Sequence, residues 1–248
     1  MGRARARRAR GSPRMRDPGA TMPFLLLAVV VLAAANTLTH RLGPALYVPV
    51  CVTAAALLLL IARRSGLDWD ALGLGRATAR RGLRWGLLLA GAVLAVFLAG
   101  LAIPFTREFF DDERASALSP GELAHRALVR VPLGTVLLEE IGFRGVLWAI
   151  LERRWGAAAA TAVSSLLFGL WHIQPSRGLT RANAAVGALF GTGRTGVALS
   201  VAAAVAGTAL AGVLLCELRR RSGSLIPPMA VHCALNSAGY ALAWAVGR

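Results

Sequence analysis

The chain has 248 residues, 56% of them hydrophobic and only 16% charged, with a mean hydropathy of +0.59. Soluble domains carry nearer ~25% charged residues, and long apolar stretches mark membrane spans, so composition excludes an ordinary soluble globular fold. The net charge of +16 comes from arginine alone; the arginines lie mostly between apolar runs, where membrane topology and lipid headgroups account for them and nucleic-acid binding does not.

The chain opens on a basic tail, residues 1–22, beginning Met1-Gly-Arg-Ala-Arg-Ala-Arg-Arg-Ala-Arg10, too charged and too punctuated by Pro and Gly to fold. No small-residue cleavage site follows the next apolar run, so the first span is expected to be retained, with Met15 and Met22 as alternative starts. A membrane helix needs about 20 mostly apolar residues. The candidates are 23–39, 44–62, 84–104, 130–151, 157–174, 195–217 and 225–246, which predicts an all-α, polytopic membrane helix bundle of about seven spans, within six to eight. Residues 23–119 are read as N-terminal spans and 120–248 as the unit that carries the chemistry. The arginines at 63, 64, 76, 80, 81 and 84, with Arg153 and Arg154, fall on the same side as the tail if crossings alternate, which places the N-terminus in the cytoplasm. Residues 105–125 read as an outside loop, with Arg107 and Glu108 in a solvated turn. It ends in an interfacial helix with Ser119 as N-cap, Pro120 at the first helical position and Glu122 in the first turn. The stretch 178–194 stays open: it is apolar but too short to span, and a re-entrant piece would need its backbone covered. Cys51, Cys216 and Cys233 form no CxxC or zinc spacing and read as small buried residues. His40 and His125 read as interhelical hydrogen-bond partners, and Trp148, Trp171 and Trp244 as interfacial or packing aromatics.

Against this background Glu139, Glu140 and Arg144 stand out, because they interrupt the apolar run from Val131 to Leu151. An ionisable group at bilayer depth costs at least ~2.5–3.5 kcal/mol on insertion scales, so three together point to function. Glu140 and Arg144 are i, i+4 and can pair along one helix face. Glu139 is turned about 100° from Glu140 and is left free to face a cavity. An unpaired carboxylate in apolar surroundings is a stronger base than one in water, suited to taking a proton from water and returning it. Later runs add Phe168-Gly-Leu-Trp-His172 and His232-Cys-Ala-Leu-Asn236, the latter again i, i+4. Glu139, His172 and His232 could ligate zinc and leave a position for water. Equally, the histidines and Asn236 could donate hydrogen bonds to an oxyanion. Both routes lead to hydrolysis by an activated water. If the helices bearing His172 and His232 run the same way, the imidazoles lie roughly 12 Å apart in depth at ~1.5 Å per residue.

Glu139-Glu140-x-x-x-Arg144, Phe168-x-x-x-His172 and His232-x-x-x-Asn236, in that order, resemble the CAAX protease and bacteriocin-processing (Abi) family of intramembrane proteases, relatives of the type 2 prenyl-protein endopeptidase. Ser222-Gly-Ser-Leu-Ile-Pro-Pro before the last motif is similar to a further habit of that family, and the resemblance covers roughly residues 120–240. It implies a membrane endopeptidase, often labelled a metalloprotease, in which Glu139 activates water, His172, His232 and Asn236 support the site, and Glu140, Arg144 and Phe168 hold it in shape. The substrate would be a membrane-associated peptide or protein. The alanine-rich, lysine-free composition suits the plasma membrane of a high-GC bacterium, which argues against prenylated substrates. Two other classes fit the same residues: a proton-coupled transporter using Glu139 and the histidines as a relay, which would favour an internal repeat, and a non-catalytic peptide-immunity or binding protein.

Overall fold

The computed structural model describes residues 21–247; the expected basic tail up to residue 20, with the alternative start at Met15, lies outside them. No strand occurs among the described residues. We label the main helices α1 (Met22–Arg41), α2 (Tyr47–Arg64), α3 (Arg76–Ala102), α4 (120–155), α5 (157–171), α6 (Arg194–Ser222) and α7 (Ile226–Val246). The last residues of α4 and the whole of α5 form one helical run, Trp148–Trp171, broken at Gly156, whose φ of 81° and ψ of 169° suit glycine and end α4.

Four helical segments, Met22–Arg41, Pro44–Arg64, Arg76–Ala102 and Arg194–Ser222, are long and apolar enough to cross a membrane, and five if the bent pair Pro120–Trp171 with Ile173–Ala182 is one span. All seven expected spans fall on helices. The ones that fall short of that standard have a reason to: α4 carries Glu139, Glu140 and Arg144, and α7 carries His232, Asn236 and two prolines. The site is built from the least lipid-like helices of the bundle. Large side chains such as Leu27, Val30, Leu88 and Val96 stay exposed on α1 and α3, as bilayer contact requires.

Between lipid-soluble helices there is little hydrophobic drive to associate, so close packing of small residues does the work. Helix α1 buries Leu25, Ala28, Leu32 and Ala35, a stripe at i, i+3, i+7, i+10. Helix α5 meets α6 antiparallel: a Cβ on Gly169 would lie 2.7 Å from the Val205 carbonyl oxygen, and one on Gly212 would lie 3.1 Å from Ser165 Cα. Helix α7 runs alongside α3, with Gly82 against Ser224 and Gly86 against Ala230. One core cluster joins α1 and α2 to the later helices.

The arginine-rich connections meet at one end of the bundle. Arg153 Nη1 donates to the Ser65 carbonyl at 3.0 Å, and Arg219 Nη2 donates to the Ala71 carbonyl at 2.7 Å while lying over the Trp148 ring. At the other end, 178–194 folds into two short helices, Leu179–Ala182 and Ala184–Phe190, each too short to span by itself. Asn183, buried between them, donates to the Phe109 and Asp111 carbonyls at 3.0 and 2.8 Å.

Two local expectations change, and the packing role expected of Trp148 holds. Ser119 is the expected N-cap and forms a capping box with Glu122, but the helix they start is not a separate interfacial piece; it runs straight into α4. His40 Nδ1 bonds the Asn36 carbonyl of its own helix at 2.7 Å, and His125 is exposed, so neither bridges helices. Trp148 is buried, with its indole nitrogen 3.1 Å from Thr161 Oγ1.

Candidate active site

Helix α4 is not a regular α-helix. Arg126–Val136 and Glu140–Leu147 are wound wider, as π-helix, on either side of Leu137–Glu139. Pro132 lies in the first wide stretch, where it can give no N–H to the helix ladder. Wide turns commonly occur where a helix must present side chains at non-standard angles, as at functional sites. Carbonyls displaced by the wider winding need donors, and Ser164 of α5 supplies one, 2.7 Å from the Phe143 oxygen. Gly142 leaves room for Leu32 of α1, and Gly145 for Leu225 beside α7, so that α4 is enclosed at this level.

The result is a charged cluster away from water. Glu139 is 4% exposed, and Glu140 and Arg144 are 0%. Arg144 Nη1 donates to Glu140 Oε1 at 3.1 Å, the i, i+4 pair expected. The same oxygen accepts from His232 Nδ1 at 2.8 Å, so Glu140 belongs to the site itself and is not only a counter-charge. Because a carboxylate oxygen can only accept, it fixes the imidazole proton on Nδ1. The other ring nitrogen, Nε2, faces Glu139 Oε2 across 3.7 Å. Glu139 Oε2 and Glu140 Oε2 have no hydrogen-bond partner among the described residues.

Sequence reading missed the residue that orients Glu139. The indole N–H of Trp171 donates to Glu139 Oε1 at 2.9 Å. Trp171 had read as an interfacial or packing aromatic; its place beside His172 was the only available signal. Its carbonyl in turn accepts from Asn36 Nδ2 of α1 at 3.1 Å, which ties the first helix to the site.

Phe168 is the hub. Its ring lies 3.8 Å from the Arg144 guanidinium carbon, makes edge contacts with Phe143 (5.3 Å) and His172 (4.6 Å), and stands 6.0 Å from the His232 ring. Arg144 leaves Nε and Nη2 without hydrogen bonds, and the aromatic face compensates part of that loss.

His172 and Asn236 stand further out. His172 Nδ1 donates to the Phe168 carbonyl at 2.8 Å, and Phe168 separates its ring from His232, as the depth difference between parallel helices α5 and α7 demands. Asn236 makes no hydrogen bond among the described residues. It lines a cavity of about 390 Å³ with Phe97, Phe110, Arg126 and Tyr240, one helical turn from His232. For zinc, Glu139 and His232 present lone pairs to one another, and the Glu140 carboxylate on Nδ1 is the kind of partner that metal-bound histidines have. His172 does not complete the set: among the described residues no three His, Cys, Asp or Glu side chains stand together as metal ligands.

The family model for type II CAAX prenyl endopeptidase Rce1-like proteins matches residues 122–238, from the capping box through Asn236. Over that stretch, a little under half of the chain, the sequence is similar to the Rce1-like family. The matched region holds every polar group of the cluster, while Asn36 lies before it. No curated protein and no solved structure matches. The Rce1-like match supports a protease of the broad CAAX type, and the several apolar helices support a multi-pass membrane protein. Membrane-associated peptides within the bilayer are what such a protease acts on.

Proposed function

We propose that the chain is an intramembrane endopeptidase that hydrolyses a peptide bond of a membrane-associated protein or peptide with a water activated by Glu139. The observation that carries this reading is the pair of facing acceptors, Glu139 Oε2 and His232 Nε2, 3.7 Å apart and buried. Neither can donate to the other while the imidazole is neutral. A water can satisfy both, giving one hydrogen to each, and its oxygen is then the polarised nucleophile.

Glu139 takes the water proton as the water oxygen bonds to the substrate carbonyl carbon, and the carbonyl electron pair moves onto its oxygen. The free carboxamide of Asn236 supports that oxyanion; donors of this kind contribute about 10²–10³ in rate. His172, whose Nδ1 proton is committed to Phe168, offers only an acceptor at Nε2 unless it is protonated. Collapse of the intermediate breaks the C–N bond as Glu139 returns the proton to the leaving nitrogen. The step conserves charge: Glu139 loses its negative charge on taking the water proton, and the oxyanion gains it. Glu140 holds His232 in the tautomer that makes this possible.

No step of this scheme passes through a metal. Cleavage of a membrane-peptide library by detergent-purified protein tests the reading. Wild type should turn over and Glu139→Ala should not; turnover that survives this change would sink the assignment of the base.

A further inference from the structure

Between α1, the middle of α4 and the C-terminal end of α5 lies a slot of about 170 Å³, walled by Leu32, Ala33, Phe143, Leu167 and Leu170. Two polar residues complete its lining, Asn36 and Trp171. Trp171 is the residue that holds Glu139 Oε1, so the slot lies one indole ring away from the base. Asn36 gives its Nδ2 to the Trp171 carbonyl, which fixes the amide and leaves Oδ1 buried with no hydrogen-bond partner.

We propose that this slot is the specificity pocket of the protease. It takes one apolar side chain of the membrane-associated peptide, between valine and phenylalanine in size, while Asn36 Oδ1 accepts a backbone N–H of the same peptide. The assignment rests on the proteolytic function proposed above. Size supports it: small-molecule sites begin at about 300 Å³, whereas an apolar cavity of about 150 Å³ accommodates a benzene-sized group. Polarity supports it as well. Buried acceptors are nearly always paired, and an extended peptide carries spare N–H donors at every second residue. A lipid acyl chain would fill the apolar walls yet has nothing to give Asn36. Location also fits, since Leu170 and Ala33 are exposed at the lipid-facing side of the bundle, where a membrane-embedded substrate approaches.

The test uses the full-length protein in detergent and membrane-peptide substrates in which each position near the cleaved bond is varied through Gly, Ala, Val, Leu, Phe and Trp. At one position, wild type should favour Leu or Phe over Ala by about tenfold or more in kcat/KM, the discrimination expected of an apolar pocket. Ala33→Phe narrows the slot and should shift that preference to Ala or Gly. Leu170→Ala widens it and should shift the preference to Trp. Both variants should keep the melting temperature of wild type, which separates a specificity change from a folding defect. Unchanged preference in both variants, or an equal loss for every peptide as an acyl-chain site would give, overturns the pocket. Absence of cleavage by wild type for the whole set overturns the proteolytic reading instead, and the pocket with it.

Discussion

Glu140→Gln removes a charge from a place where nothing can replace it. Glu140 Oε1 accepts from both Arg144 Nη1 and His232 Nδ1, and Glu140 and Arg144 are fully buried. Without the carboxylate, Arg144 keeps its full charge with only the Phe168 ring beside it, and its Nε and Nη2 already lack hydrogen bonds. Stripping one partner from a buried pair typically costs about 3–5 kcal/mol, a large share of the ~5–15 kcal/mol that holds a protein folded. At roughly 2–4 °C per kcal/mol for a chain of this size, the melting temperature should fall by about 6–20 °C. Glu139→Gln gives the contrast. The amide oxygen still accepts from Trp171, and the nearest cationic candidate, His232 Nε2, stands at 3.7 Å, so stability should stay within about 1 kcal/mol while turnover is lost. Intrinsic tryptophan fluorescence during a thermal ramp reads both, using the six tryptophans of the chain. A double variant, Glu140→Leu with Arg144→Met, should recover most of the stability, since an apolar pair can replace a buried ion pair without loss. It should stay inactive, because His232 Nδ1 then has no acceptor to set its tautomer. Equal melting temperatures for Glu140→Gln and wild type would refute the argument.

Three other outcomes follow from particular contacts. Trp171→Phe deletes the N–H that fixes Glu139 Oε1 but keeps a ring against Phe143; with about 1.5–3 kcal/mol for a hydrogen bond to a charged group, kcat should fall tenfold or more with KM little changed, and an unaltered kcat would contradict the orienting role. Gly169→Val drives a side chain into the Val205 carbonyl oxygen and Ala209, so α5 must shift with Phe168 and Trp171 aboard; overpacking of this kind costs about 1–3 kcal/mol, and wild-type melting and turnover together would count against the close α5–α6 contact. For metal, 1,10-phenanthroline should leave turnover intact and zinc should copurify well below stoichiometry; about one zinc per chain, with chelation stopping turnover, would show that Glu139, His172 and His232 close on a metal after all.

The helices were legible because bilayer length and hydropathy act residue by residue. Gly156, where the helical run breaks, falls between the expected spans 130–151 and 157–174. What hydropathy could not give was depth. Whether 178–194 crosses depends on Asn183 finding the carbonyls of Phe109 and Asp111, more than 70 residues away. The helix started at Ser119 was legible at its cap and illegible at its end, because nothing in a capping box says whether the helix will later lie along the surface or dive.

The site divides along the same line, between what spacing dictates and what tertiary neighbours decide. The pairing of Glu140 with Arg144 follows from i, i+4 geometry in any helix, and it is present. The division of labour drawn from it was too sharp. A 100° separation on α4 suggests that Glu139 and Glu140 face different surroundings, yet one imidazole ring has two nitrogens and can reach both, Nδ1 to Glu140 and Nε2 towards Glu139. Trp171 was hidden for a related reason: an indole that packs and an indole that donates look alike until its nitrogen has a partner. Asn36 lay further out of reach, in a helix with no diagnostic motif and 135 residues from the carbonyl it holds. Motifs therefore located the charged groups, while the residues that aim them came from helices that only packing brings near. That is why the orienting contacts of Trp171 and Asn36, rather than the motif residues alone, decide which oxygen of Glu139 is left without a partner.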